Sequence, residues 1–418
     1  MKPIVRFVAG VIASNALGSF ALAQPSLSSP PAVASGFVTL AVATDAAWQR
    51  AVEASETQGQ RQRADAERVA ASSLWAAPPA LLFGWRDDRW QTNAGNREAE
   101  IALAWPLWLP GQRDARGAAA ESAVELAKLA QQAARLRIAG EVREAAWTLI
   151  ALQAELAQAE AQARALRDLA DDVDRRVRAG DLARADALAA RAELMTASAR
   201  EAEARQRLFE ARSHWAVLTG LEALPGVQEP GAEPPPAASA DMALHPELRL
   251  AAQATELARR RVEVARSSRR DPPEIAVGLR QEVPARGELT QNSIGIGLRL
   301  PFGTDDRNQP LQAAALSEFE LAMAREQRLR SRLDADTLSA RAALRSADQQ
   351  LADHQARSAL LRERAQLIDK SFRAGESPLP ELLRALDAAA QADAARLRQQ
   401  AAVGLARARI QQTLGLLP

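Results

Sequence analysis

The sequence predicts a mainly α-helical fold with a small β part: long helical hairpins, duplicated along the chain, carrying four β-strands at one end. Three observations predict it. Alanine, leucine, arginine and glutamate dominate a chain of 418 residues, 25% of them charged, and opposite charges alternate over long stretches. That is the composition of long helices or coiled coils rather than of a mixed globule. Two halves match at a spacing of 195 residues: Leu103-x-Trp105-Pro106 with Leu298-x-Leu300-Pro301, Arg178-Ala179-Gly180 with Arg373-Ala374-Gly375, and Gly220 with Gly415. Between the helical segments lie short stretches with an apolar residue at every second position, the pattern of a strand with two unlike faces.

The elements follow in order. A charged start (Lys2, Arg6), an apolar stretch from Phe7 to Leu22 and the small-residue end Ala21-Leu22-Ala23 read as a secretory signal peptide over residues 1–23. A single N-terminal membrane anchor is the competing reading; Ser14, Asn15, Gly18 and Ser19 inside the stretch favour the signal. The first repeat is assigned to 24–222. It has an amphipathic helical segment at 45–75, a break at Pro78-Pro79, and strands at 80–88 and 98–109. After Pro110-Gly111 a helix over 112–177 extends about 100 Å at roughly 1.5 Å per residue. It turns at a tip, 178–181, and returns over 181–219.

A proline-rich linker, 223–241, is too rich in proline for regular structure. The second repeat, 242–418, has the same plan: a helical segment at 241–270, Pro272-Pro273, strands at 273–283 and 292–302, a long helix at 305–372, a tip at 373–376 and a return helix over 376–415. The lengths balance if 181–219 stacks end to end with 241–270 beside one long helix, and 376–415 with 45–75 beside the other.

Several function classes drop out. The net charge is +1 with no basic block, which gives no nucleic-acid footprint. There is no cysteine, hence no disulfide, no thiolate metal site and no lipid-bearing N-terminal cysteine. His214, His245 and His354 are scattered and the methionines do not cluster, so neither a metal site nor a cofactor is expected. Asp87-Asp88 and Asp305-Asp306 are paired carboxylates beside turns, where cap or loop roles fit better than catalysis. No nucleophile-elbow or phosphate-loop pattern is present, and no enzyme is expected.

The strands carry the functional signal. After residue 24 no apolar run of about 18 residues occurs, so entry into a membrane would require strands. Segments of about ten residues suit a tilted crossing of the hydrocarbon core. Ile294, Ile296, Leu298 and Leu300 alternate with Gly295, Gly297 and Arg299. Ile101, Leu103 and Trp105 alternate with Ala102 and Ala104, and Ile275, Val277 and Leu279 with Gly278 and Arg280. One face suits lipid and the other a water-filled lumen. Trp85, Trp90, Trp105 and Trp108 suit interfacial girdles. The alternative is two hairpins packed on the helices. Four strands cannot close a barrel, since the smallest bacterial outer-membrane barrels have about eight, so several chains would have to share one.

The duplicated plan, the strand ending in Leu-x-Leu-Pro and the tip "FRAGESPLPELLRA" (372–385) resemble the TolC family of outer-membrane efflux proteins. "VRAGDLARADALAARAEL", the closing "LTG" (218–220) and "VTLAVATDAAWQRAVEAS" (38–55) fit the same pattern, over residues 38–418 in all. "LPFGTDDRNQP" resembles the strand-to-helix corner of the CzcC-like branch, which serves heavy-metal efflux. The resemblance implies a homotrimer with a twelve-stranded outer-membrane barrel, contacting outer-membrane lipid, above a periplasmic helical barrel. It implies as partners a periplasmic membrane-fusion adaptor and an inner-membrane pump of the resistance-nodulation-division type. The linker would lie in an equatorial girdle. A pore-less periplasmic coiled-coil adaptor or scaffold is the alternative function, and a hydrolase a distant third.

The resemblance also nominates residues. Gly180 and Gly375 supply the positive-φ turn a helical hairpin needs. Beside them Val177, Leu182, Phe372, Ser377 and Leu379 are expected to form the adaptor-binding tip, with Phe372 and Leu379 exposed for want of a core. Asp186 and Glu381 match positions of an acidic constriction in the family, and Arg384 falls where some members carry another acid. An Asp186–Arg384 or Glu381–Arg384 link between neighbouring helices would latch the pore.

Overall fold

The computed structural model describes residues 37–90, 93–226, 242–302 and 305–418, with the backbone alone for 305–307. The signal peptide expected at 1–23, most of the linker expected at 223–241 and the carboxylates of Asp305 and Asp306 lie outside the described residues. In chain order the elements are α1 (Leu40–Arg50), α2 (Val52–Ala71), β1 (Ala80–Asp87), β2 (Arg97–Pro106), α3 (Gln112–Ala179) and α4 (Arg184–Thr219). After a short helical turn at Met242–Leu244 come α5 (Pro246–Ser267), β3 (Glu274–Val283), β4 (Gln291–Arg299), α6 (Asp305–Arg373) and α7 (Leu379–Thr413).

Local chemistry sets the ends. Thr39 accepts from the Val42 N–H and starts α1, while Ala51, extended at φ −68° and ψ 139°, splits the helical segment expected at 45–75 into α1 and α2. The α5 start combines Pro246 at the first helical position with His245 as cap, its Nδ1 accepting from the Glu247 N–H at 3.2 Å. At the two tips the same hydrogen bonds recur 195 residues apart. The Gly180 N–H donates to Val177 O and Asp181 N–H to Arg176 O; the Gly375 N–H donates to Phe372 O and Glu376 N–H to Ser371 O. Both glycines sit at positive φ, 89° and 81°, where a side chain would be strained.

The four strands form one antiparallel sheet in the order β1-β2-β3-β4. The helices line up beneath it in the same order. α3 is flanked by α4 and α7 toward the tip and by α2 and α5 toward the sheet, and α6 lies against α7 and α5. The end-to-end stacking differs from the expected one. Gly220 at the end of α4 meets Arg50, just ahead of α2, and Gly415 at the end of α7 meets His245 and Pro246 at the head of α5. α2 therefore continues α4, and α5 continues α7. Length alone balances either arrangement; the turns at Gly220 and Gly415 decide it.

Midway down the wall the columns are tied by buried polar and close apolar contacts. Arg143 of α3, 2% exposed, donates to the Gln412 side chain at 2.6 Å and to Leu416 O at 2.8 Å. Gln412 in turn donates to Leu136 O at 2.8 Å. The buried His245 imidazole hydrogen-bonds the Gln412 backbone, and burial holds its pKa below the ordinary histidine value. Trp215 packs with Val38, Val142, Leu149 and Leu208, and its indole N–H donates to Ala223 O at 3.1 Å. One turn further, Gly404 of α7 lies flat against the Trp147 ring, where an added Cβ would overlap the indole. Gly404→Ala is expected to cost about 1–3 kcal/mol through overpacking, seen as a lower midpoint of thermal unfolding.

Candidate functional site: a strand wall and a helical tip

Strand register assembles one uninterrupted apolar face. Leu81, Leu103, Val277 and Ile296 form one cross-strand row, and Phe83, Ile101, Leu279 and Ile294 the next. Trp105, Ile275 and Leu298 form a third nearer the helices. These side chains face outward: Ile294 is 75% and Ile296 79% exposed. Leu300, just past β4, is also exposed. Strands of eight to ten residues, at about 3.3 Å per residue and tilted roughly 40°, reach about 20–25 Å, the height of an outer-membrane apolar band.

Apart from Leu82, the opposite face is small and polar. Its rows run Ala80-Ala104-Ala276-Gly297 and Leu82-Ala102-Gly278-Gly295, then Gly84-Glu100-Arg280-Ser293. Glu98, largely buried, pairs with Arg86 at 3.2 Å and Arg280 at 3.0 Å, and Arg280 reaches Glu282 at 3.3 Å. Small side chains let a sheet curve toward that face, and the charges want water. The outer edges of β1 and β4 have no strand partner among the described residues.

The tryptophans mark both ends of the apolar face. Trp85 and Trp90 are exposed at the far end. At the helical end Trp75 lies 6.2 Å from Trp105, and the Trp108 indole N–H donates to Ser73 O at 3.1 Å. No helix of the described residues is long and apolar enough to cross a membrane.

At the other end the two helical hairpins share one core, and an expectation fails there. Phe372 and Leu379 are not exposed: they are 3% and 1% accessible, packed with Leu166, Val173, Ala187 and Leu382. Val177 and Leu182 are half-buried against the same cluster, and Arg176 covers the Phe372 ring at 5.1 Å. Each hairpin supplies the core the other lacks, which one hairpin's sequence does not reveal. What the tip exposes is polar: Arg178, Gly180 and Asp181 in one turn, Arg373, Gly375 and Glu376 in the other. The Ser377 hydroxyl is tied to that of Ser371 at 2.7 Å.

Residues 83–221 match the family described as outer membrane efflux protein. The chain is also 29% identical over 236 residues to the cobalt-zinc-cadmium resistance protein CzcC of Cupriavidus metallidurans, a match over 55% of this chain and 56% of that protein. It thus spans about half the length of the curated relative it matches. Among solved structures, CusC aligns with a TM-score of 0.76 at 17% identity, over 94% of this chain and 96% of its own. The outer membrane protein VceC of Vibrio cholerae aligns with a TM-score of 0.73 at 15% identity, over 90% and 96%. The mostly helical architecture with a four-stranded sheet is the fold of these two solved proteins.

Within this fold, the residues nominated for the constriction lie just past the tips. Asp186 and Glu381 occupy equivalent first turns of α4 and α7, where the helix dipole favours a carboxylate. Asp186 is already engaged, accepting from the Ala183 N–H at 3.2 Å. Arg384 is exposed, and its Nε donates to Pro380 O at 3.1 Å. Within the one chain, and among the described residues, neither acid forms an ion pair with Arg384, so the expected latch is not made there. Among the described residues no group of histidines and carboxylates could hold a metal ion.

Sequence reasoning missed the Arg143 cluster and the Gly404–Trp147 contact. Arg143 did leave a signal: a lone charge among Ala139, Val142, Ala146 and Leu149 on the apolar side of α3. Its partner Gln412 lies 269 residues away, beyond any local pattern.

Proposed function

We propose that this chain is the outer-membrane channel of a tripartite efflux system, a passive duct that carries metal cations from the periplasm or the pump to the outside. The carrying observation is the sheet: one face apolar in unbroken cross-strand rows, the other small and charged, with open edges at β1 and β4. Open edges in lipid would leave backbone groups unpaired at several kcal/mol each, so copies must pair β4 with the next copy's β1. Three copies would supply twelve strands, the homotrimer that the resemblance implies. Along α6, Leu338, Leu360 and Leu367 are exposed, and along α4 Leu188 and Phe209, as edges awaiting a neighbour would be. A pore-less scaffold would need a cover for the apolar sheet face, and no described residue provides one.

The cargo class follows CzcC, whose name speaks of cobalt, zinc and cadmium resistance. Selection would rest with the pump and a periplasmic adaptor, since the chain offers no described metal site. The adaptor would meet the tips at Gly180 and Gly375 and their charged neighbours, with Val177, Leu182, Phe372, Ser377 and Leu379 supporting the turns from beneath. The chain would need no catalytic group. The domain plan goes with this reading: signal peptide 1–23, two repeats, and the 223–241 linker at the equator of an outer-membrane protein anchored by its barrel.

Planar-bilayer recording tests both duct and gate. The purified protein is expected to conduct, and Asp186→Asn or Glu381→Gln to raise its leak conductance by opening the constriction at the tip. Unchanged conductance in both single variants and the double variant removes the gate assignment. A wild-type protein that never conducts removes the duct. Deletion is expected to sensitise cells to cobalt, zinc or cadmium; sensitivity confined to organic drugs overturns the cargo class.

A further inference from the structure

We propose that a cleft at the foot of the sheet binds a phospholipid from the leaflet on the helical side. The cleft, about 510 Å³, lies where α2, α3 and α5 meet the 73–79 segment that leads into β1. Its volume is that of a small-molecule site. The floor is the start of α3, where Ala119 and Ala123 leave room that larger side chains would fill, and the walls include Trp75, Trp108 and Leu257. The inference rests on the reading of the sheet as a membrane wall.

Position gives the cleft its occupant. Trp75, in the wall, sits 6.2 Å from Trp105, which belongs to the outward apolar row with Ile275 and Leu298. The Ala76 N–H donates to Pro106 O at 3.1 Å and fixes this segment to the foot of β2. The apolar lining is thus continuous with the lipid-facing surface, and an acyl chain can enter without crossing water. Trp75 and Trp108 lie at the level where indoles favour the membrane interface.

The rim selects the headgroup. Arg116 lies over the Trp108 ring at 5.3 Å and has no ion-pair partner among the described residues. Among the described residues Arg261 pairs only with Glu318, at 3.8 Å and well exposed. Glu67, also at the rim, is engaged by Arg63 at 2.9 Å. Two guanidinium groups over a mostly apolar cleft fit a phosphodiester carried on hydrocarbon, since guanidinium forks match phosphate oxygens. A purely apolar ligand would leave the arginines without a role; inorganic phosphate would leave the cleft empty.

The test is native mass spectrometry of the full-length assembled protein, delipidated in mild detergent and titrated with palmitoyl-oleoyl phosphatidylglycerol. One tightly held lipid per chain is expected in the wild type, undisplaced by millimolar inorganic phosphate. Ala119→Trp, which fills the cleft, is expected to weaken retention by about tenfold or more, the factor produced by losing burial of roughly two methylenes. Arg116→Gln with Arg261→Gln is expected to weaken it without filling anything, which covers the case of a misfolded Ala119→Trp. No retained lipid in the wild type, or equal retention in both variants, overturns the proposal. So does a photo-crosslinker at position 119 that captures residues 24–36 of the chain itself in native membranes. Bilayer conductance separates this from the duct: variants that lose lipid but still conduct leave the duct standing, and a wild type that holds lipid but never conducts removes the duct alone.

Discussion

Ile296→Arg is expected to keep the protein from assembling in the outer membrane. Ile296 lies in the middle of β4, 79% exposed, at the end of the row Leu81-Leu103-Val277. An arginine there would face hydrocarbon at a cost of roughly 2–4 kcal/mol near the bilayer midplane. A closed assembly would bear that cost in every copy. Ser293→Arg is the matched control, because Ser293 shares the opposite face with Glu100 and Arg280, where a charge meets water. The readout is the heat-resistant oligomer in the outer-membrane fraction, expected to be lost with Ile296→Arg and kept with Ser293→Arg. Normal assembly of Ile296→Arg would show that this face does not meet lipid.

The second large effect is expected at Arg143. Its guanidinium holds the Gln412 side chain and Leu416 O where α7 ends, and Gln412 also meets His245 at the head of α5. Hydrogen bonds to a charged group contribute roughly 1.5–3 kcal/mol each. Losing two puts Arg143→Met at about 3 kcal/mol. Arg143→Lys is expected to recover little, because an ammonium cannot reproduce a fork that reaches two acceptors. Thermal unfolding read together with limited proteolysis of the last turn of α7 checks this. A near wild-type midpoint for Arg143→Met would mean that the joint is held by apolar packing alone.

How much was legible depends on the range of the interaction. The tip turns at Gly180 and Gly375 are set by a few neighbouring residues, and the strand faces by a period of two, so both could be read directly. The shared tip core could not. Phe372 and Leu379 look unpartnered in their own hairpin and are buried by Leu166 and Val173 from the other. The column order failed for a related reason: helix lengths add up equally well for either stacking, and only the contacts of Gly220 and Gly415 distinguish them. For the constriction, sequence likeness nominated Asp186, Glu381 and Arg384, but spacing does not fix a rotamer: Arg384, three residues from Glu381 on α7, turns to Pro380 O instead.

The observed stacking of α2 on α4 and of α5 on α7 keeps each half's short helices with its own long helix. The halves then act as two staves joined along one line, where β2 meets β3 and α3 meets α5 and α7. A ring of three chains would be a ring of six nearly equal staves with two kinds of joint in alternation. One kind is spanned by the polypeptide and pinned at Arg143; the other is held by contact alone. Any widening of such a ring would divide unevenly, concentrating at three joints and not six, and the aperture it opened would be triangular.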